Sequence, residues 1–364
     1  MPVESTSKRA GVLPAYGRGV IQRSMLWHRI AIDLGTAHSL VYTLDKGMVL
    51  SEPSAVAIRR STGEAIAFGE RARTMIGRSP EFIQVVRPLR DGVIADFEAA
   101  RAMFRHFLRV ASQGHRLSRK AVVVCIPFGA TAVEMDALVR EAESAGADRV
   151  DAVREPFAAA LGAGMAIQEP RGHLVIDIGG GTTEVTSLSL NDVVHCESVR
   201  MAGHAMDQAV QGFFRNRYNF SIGENTAEEI KIRYGRVYPA GDDLFEVKGL
   251  SKRTGKPQRL MVQTKEIQQA LDPVARSITD AVRRSVERLA PELAADIFTD
   301  GAALVGGGAL LPGWGERLKD AMGLRARVVD EPLLCVMRGL IEILKDGKRY
   351  ADLVENSRVR KHLE

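Results

Sequence analysis

The sequence predicts an α/β chain of two similar lobes with a ligand held between them. Three observations carry that prediction. A unit of strand, Asp, Gly/Thr turn and strand occurs twice, at residues 30–41 and 174–185. A third glycine cluster, Gly306, Gly307 and Gly308, follows the apolar residues 302–305. The length of 364 residues suits two domains of roughly 100–200 each. Apolar residues make up 45% of the chain and charged ones 26%, the mix of an ordinary globular core. The apolar runs are far shorter than the roughly 20 residues that cross a bilayer. Cys125, Cys196 and Cys335 are too dispersed for a disulfide framework or a zinc ligand set. A membrane-spanning, disulfide-rich or disordered chain is therefore not expected.

Residues 1–27 read as a basic tail. Lys8, Arg9, Arg18, Arg23 and Arg29 stand against Glu4 alone, whereas residues 30–340 are neutral. The net charge of +5 thus lies mainly at the chain ends, and no basic stripe on the body marks a nucleic-acid binder. Ile21, Met25, Leu26 and Trp27 make a short amphipathic segment suited to a membrane interface, where one weak anchor binds marginally unless multiplied. The competing reading is a leader whose residues 25–27 pack where the domain begins. No uninterrupted apolar run marks a secretory signal.

The first unit reads Ile-Ala-Ile-Asp33-Leu-Gly35-Thr36-Ala37-His38-Ser-Leu-Val, and the second Leu-Val-Ile-Asp177-Ile-Gly179-Gly180-Gly181-Thr182-Thr183-Glu-Val. Asp45, Lys46 and Gly47 in one half, and Asn191 and Asp192 in the other, supply a further turn before a third strand, so each unit reads as a β-meander. Glycine removes Cβ and lets backbone N–H groups approach an anion, and threonine adds a hydroxyl donor. The Asp at each strand end is a hard oxygen ligand suited to orienting Mg²⁺ through its waters. One such turn alone reads as a tight hairpin. Two in register, each with its Asp, predict a polyphosphate gripped from both sides.

Between and beyond the units, Thr131 and Glu134 spell a capping box that starts a helix. Thr226 and Glu229 spell another, with Glu228 and Lys231 on one face of its helix. The basic run at residues 112–120, with Leu117 able to enter lipid, is expected in the small subdomain of the first lobe. The run from Gly249 to Pro257 imitates a Walker loop, but its glycines are one residue too far apart and Pro257 replaces the metal-holding Ser/Thr. It is expected to be an exposed turn. Gly306, Gly307 and Gly308, before a helix near Trp314–Met322, let a flat base lie against backbone.

These three clusters, in this order and spacing, resemble the actin/sugar-kinase/heat-shock ATPase superfamily. Residues 87–97 (Arg-Pro-Leu-Arg-Asp-Gly-Val-Ile-Ala-Asp-Phe), 126–134, 155–160 (Glu-Pro-Phe-Ala-Ala-Ala), 222–231 and 291–294 narrow the resemblance to the MreB family of bacterial actins. The resemblance implies an actin-like fold: two lobes, each a ribonuclease-H-like meander plus helices, in four subdomains around a nucleotide cleft. Lobe I would span residues 28–168 with insertion IB. Lobe II would span 169–345 with insertion IIB at about 201–255, leaving a C-terminal tail at 346–364. It also implies an ATPase that binds ATP with Mg²⁺, hydrolyses it slowly, and polymerises into paired protofilaments on the inner membrane surface. Its partners would be further copies of itself and transmembrane adaptors of the shape complex, with no nucleic acid.

Carried over residue by residue, Thr36, Ala37 and His38 form the first phosphate loop. Gly179, Gly180, Gly181, Thr182 and Thr183 form the second, with Gly203 beside it. Asp33 and Asp177 flank the metal. Glu228, Glu229, Ile230 and Lys231 lie at the adenosine, and Gly307, Gly308, Ala309 and Leu310 at the base and α-phosphate. Glu134, with Asp177 and Thr183, serves catalysis by positioning the attacking water. Two stretches depart from the family. His38 stands where most members have Asn, as it does in magnetosome-filament actins, and residues 202–207 read Ala-Gly-His-Ala-Met-Asp in place of Gly-Gly-Asp-x-Phe-Asp. A histidine there leads us to expect nucleotide affinity that strengthens as pH falls. The alternative functions are an organelle-positioning filament and a monomeric actin-fold ATPase or scaffold.

Overall fold

A computed structural model of the chain describes residues 27–115, 118–239 and 241–355. Two large sheets dominate. The first runs in the order Val354–Glu355, Arg149–Arg154, Arg119–Ile126, Trp27–Leu34, His38–Thr43, Gly47–Pro53. The second runs Asp192–Val199, Thr183–Ser189, His173–Ile178, Ala302–Val305, Ala326–Val328. In each, the Asp-bearing strand pairs antiparallel with the strand after its turn, Asp33 opposite Leu40 and Asp177 opposite Glu184. On its other side it pairs parallel, with Arg119–Ile126 and Ala302–Val305 respectively. The repeated sequence unit is thus a repeated topology. Its turns use the residues that tolerate positive φ: Gly47 at 78° in one half, Asn191 at 60° in the other.

Helices cover the sheets through apolar stripes. Phe97–Ala111 starts on Asp96, whose side chain accepts from the Ala99 N–H at 2.9 Å, and buries Ala100, Met103, Phe104, Phe107, Leu108 and Ala111. Thr264–Glu287 does the same for the second sheet through Ile267, Leu271, Ile278 and Val282. Between the sheets, Glu155–Gly162 and Cys335–Lys345 cross at glycine. A Cβ on Gly339 would lie 1.9 Å from the Ala158 carbonyl oxygen, and one on Gly162 would lie 1.8 Å from that of Cys335. The helices therefore meet backbone to backbone, in a core that also takes Val123 and Leu40 from one sheet and Val175 and Val305 from the other.

Smaller units sit above each sheet. One is a three-stranded sheet (Val56–Arg59, Ala65–Phe68, Ile83–Val86) with the short helix Gly69–Arg73. The other is Phe220–Ser221, Leu244–Ser251 and Pro257–Gln263 with helices Gly203–Tyr218 and Glu224–Tyr234. The Walker-like run lies in the hairpin of this second unit, its tip exposed and Gly255 at φ 66°. That hairpin continues to Gln263, past the expected limit near 255.

Several expectations need correction. Cys335–Lys345, expected in lobe II, packs on Glu155–Gly162 of lobe I, because glycines on both helices allow the closest approach there. The expected tail from 346 onward instead returns to the first sheet: Val354 pairs with Val153, and Arg154 Nε is 2.5 Å from Glu355 Oε1. The basic run at 112–120 leads from Phe97–Ala111 into the central strand Arg119–Ile126, so it belongs to the large sheet and not to the small subdomain. Its Arg116 and Leu117 lie outside the described residues, as do Ile21, Met25 and Leu26. Trp27 opens the first strand opposite Arg119, whose guanidinium carbon lies 5.6 Å from its ring centroid. Among the described residues no helix is long and apolar enough to cross a membrane.

Candidate functional site

The two Asp-bearing strands end at one cleft, a cavity of about 680 Å³ lined by both turns. The turns touch. A Cβ on Gly180 would fall 2.4 Å from Ala37 Cβ, and one on Gly181 would fall 2.9 Å from Thr36 Cγ2, so glycine is needed for the lobes to approach. Each turn is braced from behind. Ser54 Oγ donates to the Gly35 carbonyl at 2.6 Å, while Gly179 N–H donates to the Thr182 carbonyl at 3.0 Å and His204 N–H to that of Gly180 at 2.8 Å. The third cluster closes the floor: Gly306 has φ 79°, and a Cβ there would lie 2.3 Å from Asp177 Oδ1.

Four carboxylates converge beneath the turns. Burial and the neighbouring Asp177 push Asp33 up to about 7. Burial raises Asp177 to about 6, and burial with Asp177 raises Glu184 to about 7. Glu155 is raised well above the carboxylate range by burial and by the charges of Asp177, Glu184 and Asp33. Asp177 Oδ2 and Glu184 Oε2 are buried with no hydrogen-bond partner. Like charges gathered in a dry site with few donors are costly, and a divalent cation beside them reduces that cost. Asp33 and Asp177, both lining the cavity, fit Mg²⁺ held directly or through water.

One wall is apolar and glycine-faced: Gly307, Gly308, Leu310, Leu311, Leu333 and Ile232. Opposite ends of the roof are tied across the lobes. Arg73 Nη1 is 3.0 Å from Glu228 Oε2, Asn225 Nδ2 donates to the Arg73 carbonyl at 3.3 Å, and Arg87 pairs with Glu224. Lys231 Nζ sits 2.8 Å from Asp207 Oδ1 and 3.1 Å from the Gly203 carbonyl oxygen. Burial and the nearby Arg87 and Lys231 charges drive His204 down to about 4. Burial also lowers His38, whose Nε2 is 2.9 Å from Ser51 Oγ.

The structure brings Asp33, Thr36, Ala37, His38, Asp177, Gly179, Gly180, Gly181, Thr182, Gly203, Glu228, Lys231, Gly307, Gly308 and Leu310 to this cavity. Thr183, Glu229, Ile230, Ala309 and the expected water-positioning Glu134 do not line it. The buried Thr183 hydroxyl donates to the Met201 carbonyl at 2.6 Å. Ile230 and Ala309 are in the lobe II core. Glu229 faces solvent and pairs with Arg233 at 2.8 Å. The capping box expected of Thr226 and Glu229 does not form: the helix starts earlier, at Glu224 after Gly223, and Thr226 is already inside it. The capping box of Thr131 and Glu134 does form, with Glu134 Oε2 accepting from the Thr131 N–H and Oγ1, each at 2.8 Å.

Sequence reasoning missed Glu155, Glu184, Arg73, Arg87 and His204 as cleft groups. Two signals were available. Glu184 is the one acid in the fully buried strand Thr183–Ser189, and Glu155 opens a helix whose residues are otherwise apolar or small.

Residues 27–352 match the family described as MreB/Mbl protein. The chain belongs to the MreB/Mbl family. It is 42% identical over 311 residues to the cell shape-determining protein Mbl of Bacillus cereus, covering 85% of this chain and 93% of that one. It is 43% identical over 324 residues to the cell shape-determining protein MreB of Escherichia coli, covering 87% and 93%. Among solved structures, MreB5 of Spiroplasma citri bound to AMPPNP superposes with a TM-score of 0.85 at 35% identity, covering 89% of this chain and 98% of that one. The same protein bound to ADP superposes at 0.86, covering 90% and 99%. The MreB-type, actin-like fold is therefore the fold of this chain, with its two meanders facing across the cleft.

Proposed function

We propose that the chain is a bacterial actin that binds ATP with Mg²⁺, hydrolyses it slowly, and polymerises into membrane-associated filaments that organise cell shape and cell-wall synthesis. The observation that carries this reading is the meeting of two glycine turns over a cluster of buried carboxylates, two of whose oxygens have no hydrogen-bond partner, beside apolar lining residues. Relatives named as cell shape-determining proteins, and a solved relative with AMPPNP and with ADP, support the same reading.

In this reading the turn at Thr36, Ala37 and His38 and the turn at Gly179 to Thr182 clamp the phosphates from opposite lobes. Leu310, Gly307 and Gly308 receive the base, while Glu228 and Lys231 face the ribose. Asp33 and Asp177 would hold Mg²⁺, which neutralises the triphosphate and its developing charge. Glu134 orients the attacking water from a rigid helix end. Hydrolysis needs little covalent chemistry from the protein, only that placement. Arg73 with Glu228 and Arg87 with Glu224 join the lobes above the nucleotide, so its binding and lobe closure are coupled. Polymerisation multiplies weak membrane contacts, with the inner membrane surface and its adaptors as partners. Electron microscopy with Mg·ATP, with and without anionic liposomes, tests this: paired protofilaments lying on lipid are expected, and a protein that binds ATP yet stays monomeric contradicts it.

His38 favours a second reading, an organelle-positioning filament, and makes its own prediction. Burial lowers the His38 pKa below the ordinary histidine range. Protonation adds a positive charge beside the phosphates, so ATP binding tightens as pH falls through that lowered pKa, by roughly tenfold for each unit by which bound nucleotide raises it. In His38→Asn the affinity is flat through the same fall in pH. Equal profiles for the two proteins, measured by fluorescent-nucleotide titration, would dispose of the effect.

A further inference from the structure

The first strand has a second cluster of chemistry at the end remote from the cleft. Asp33 lies at the cleft, and His28 lies roughly 16 Å back along the strand at about 3.3 Å per residue. There His28 meets Asp45, from the turn before Gly47–Pro53, and His115, from the loop after Phe97–Ala111. The three ligand atoms all lie within 4.8 Å of one another. His115 Nε2 is 2.9 Å from Asp45 Oδ2, His28 Nδ1 is 3.6 Å from Asp45 Oδ1, and the two imidazoles stack with centroids 4.4 Å apart, so the more exposed His115 ring has to turn out of the stack for both lone pairs to meet one ion.

The hydrogen bonding of His28 decides what this cluster is for. Its Nε2 lies 3.0 Å from the Ala111 carbonyl oxygen. A carbonyl only accepts, so the neutral ring carries its proton on Nε2 and turns the bare Nδ1 lone pair toward the carboxylate. In the neutral ring two acceptors then face each other with no proton between them, an arrangement that a bound cation relieves, as a second proton on the ring also would. A backbone carbonyl on the remote nitrogen is also the contact that orients imidazoles bound to metals. Lys46 donates to the Gln113 carbonyl.

We propose that His28, Asp45 and His115 form a binding site for a divalent transition ion of the zinc class. Two imidazoles and one carboxylate suit Zn²⁺ at about 2.0–2.2 Å, with solvent in the fourth position. Hard cations such as Mg²⁺ and Ca²⁺ want oxygen throughout and are disfavoured here. His115 and Asp45 have side chains 36% and 39% exposed, which leaves an entry path, while His28 is buried and preset. A bound ion ties three separated segments together where the described chain begins, and so stabilises lobe I whether or not the cleft holds a nucleotide.

The test uses the full chain without a polyhistidine tag, stripped with a chelator and titrated with Zn²⁺ by calorimetry. A parallel titration with Co²⁺ reads visible absorption and quenching of Trp27 fluorescence. One ion per chain is expected, with four-coordinate Co²⁺ bands and a Zn²⁺-dependent rise in melting temperature. His115→Ala and Asp45→Asn change exposed side chains and keep the fold; each should weaken binding about 100-fold. Asp45→Cys should retain Co²⁺ and add a thiolate charge-transfer band. Absence of stoichiometric binding reduces the cluster to a hydrogen-bonded triad. Unchanged affinity in both variants places the ion elsewhere, and either result overturns the proposal.

Discussion

We expect the replacement of Asp177 by Ala to abolish Mg·ATP binding and filament assembly together. The side chain is 8% exposed, one of its oxygens has no partner, and it shares its surroundings with Asp33, Glu155 and Glu184. Removing it deletes the charge best placed to draw in the cation. The same argument predicts the opposite effect on the empty protein. Asp33 and Asp177 bind protons more tightly folded, at about 7 and about 6, than at the ordinary carboxylate value of 3.8 that they hold unfolded. Their contribution to stability is therefore intact below about pH 4 and lost as pH rises through 6 to 7. We expect the nucleotide-free protein to lose on the order of 5 kcal/mol between pH 4.5 and pH 8 from these groups, at about 1.4 kcal/mol per pKa unit. Asp177→Asn should flatten that slope and melt higher than the parent at pH 8. Denaturant unfolding across the pH range measures the slope; filaments that persist in Asp177→Ala would place the metal elsewhere.

We expect the replacement of Glu134 by Ala to stop phosphate release while filaments still form with ATP, if Glu134 positions the attacking water as proposed. Two roles are mixed in that variant, because the Glu134 carboxylate also closes the capping box on Thr131. Loss of the cap costs on the order of 1 kcal/mol, whereas loss of the water-positioning group costs turnover by about 100-fold or more. Two further variants separate them. Glu134→Gln keeps the box, since glutamine serves at that position, yet cannot act as a base and should remain inactive. Thr131→Ala breaks the box and should keep most of its turnover. A Glu134→Gln protein that hydrolyses ATP at the parent rate returns Glu134 to capping alone.

The parts of the fold that the sequence disclosed are those set by local chemistry. Asp33 and Asp177 sit at equivalent places in two meanders because turn residues and apolar alternation repeat around them. Asn191, Gly47 and Gly306 behave in the structure as turn chemistry says they should. What stayed hidden depends on contacts distant in sequence. Cys335–Lys345 reads as one more amphipathic helix of lobe II, and only Gly162, on a remote helix, reveals that it docks on lobe I. The strand Val354–Glu355 is too short to carry a pattern, and its register comes from the exposed edge of Arg149–Arg154. In the site, the glycine turns announced themselves, but the Arg73–Glu228 and Arg87–Glu224 ties join residues whose nearness is a product of the closed fold. Thr226 misled for a different reason: the capping pattern was present, but Gly223 and Glu224 started the helix first.

The central claim is that both lobes close on one metal-bound triphosphate. A crystal structure of the protein with AMPPNP and Mn²⁺ in place of Mg²⁺ tests it most directly, because the anomalous signal locates the ion independently of the nucleotide. We expect one Mn²⁺ peak between Asp33 and Asp177, with the triphosphate lying between the turn at Gly35 to His38 and the turn at Gly179 to Thr182. A nucleotide held by one lobe alone, or an ion remote from both carboxylates, would contradict the account.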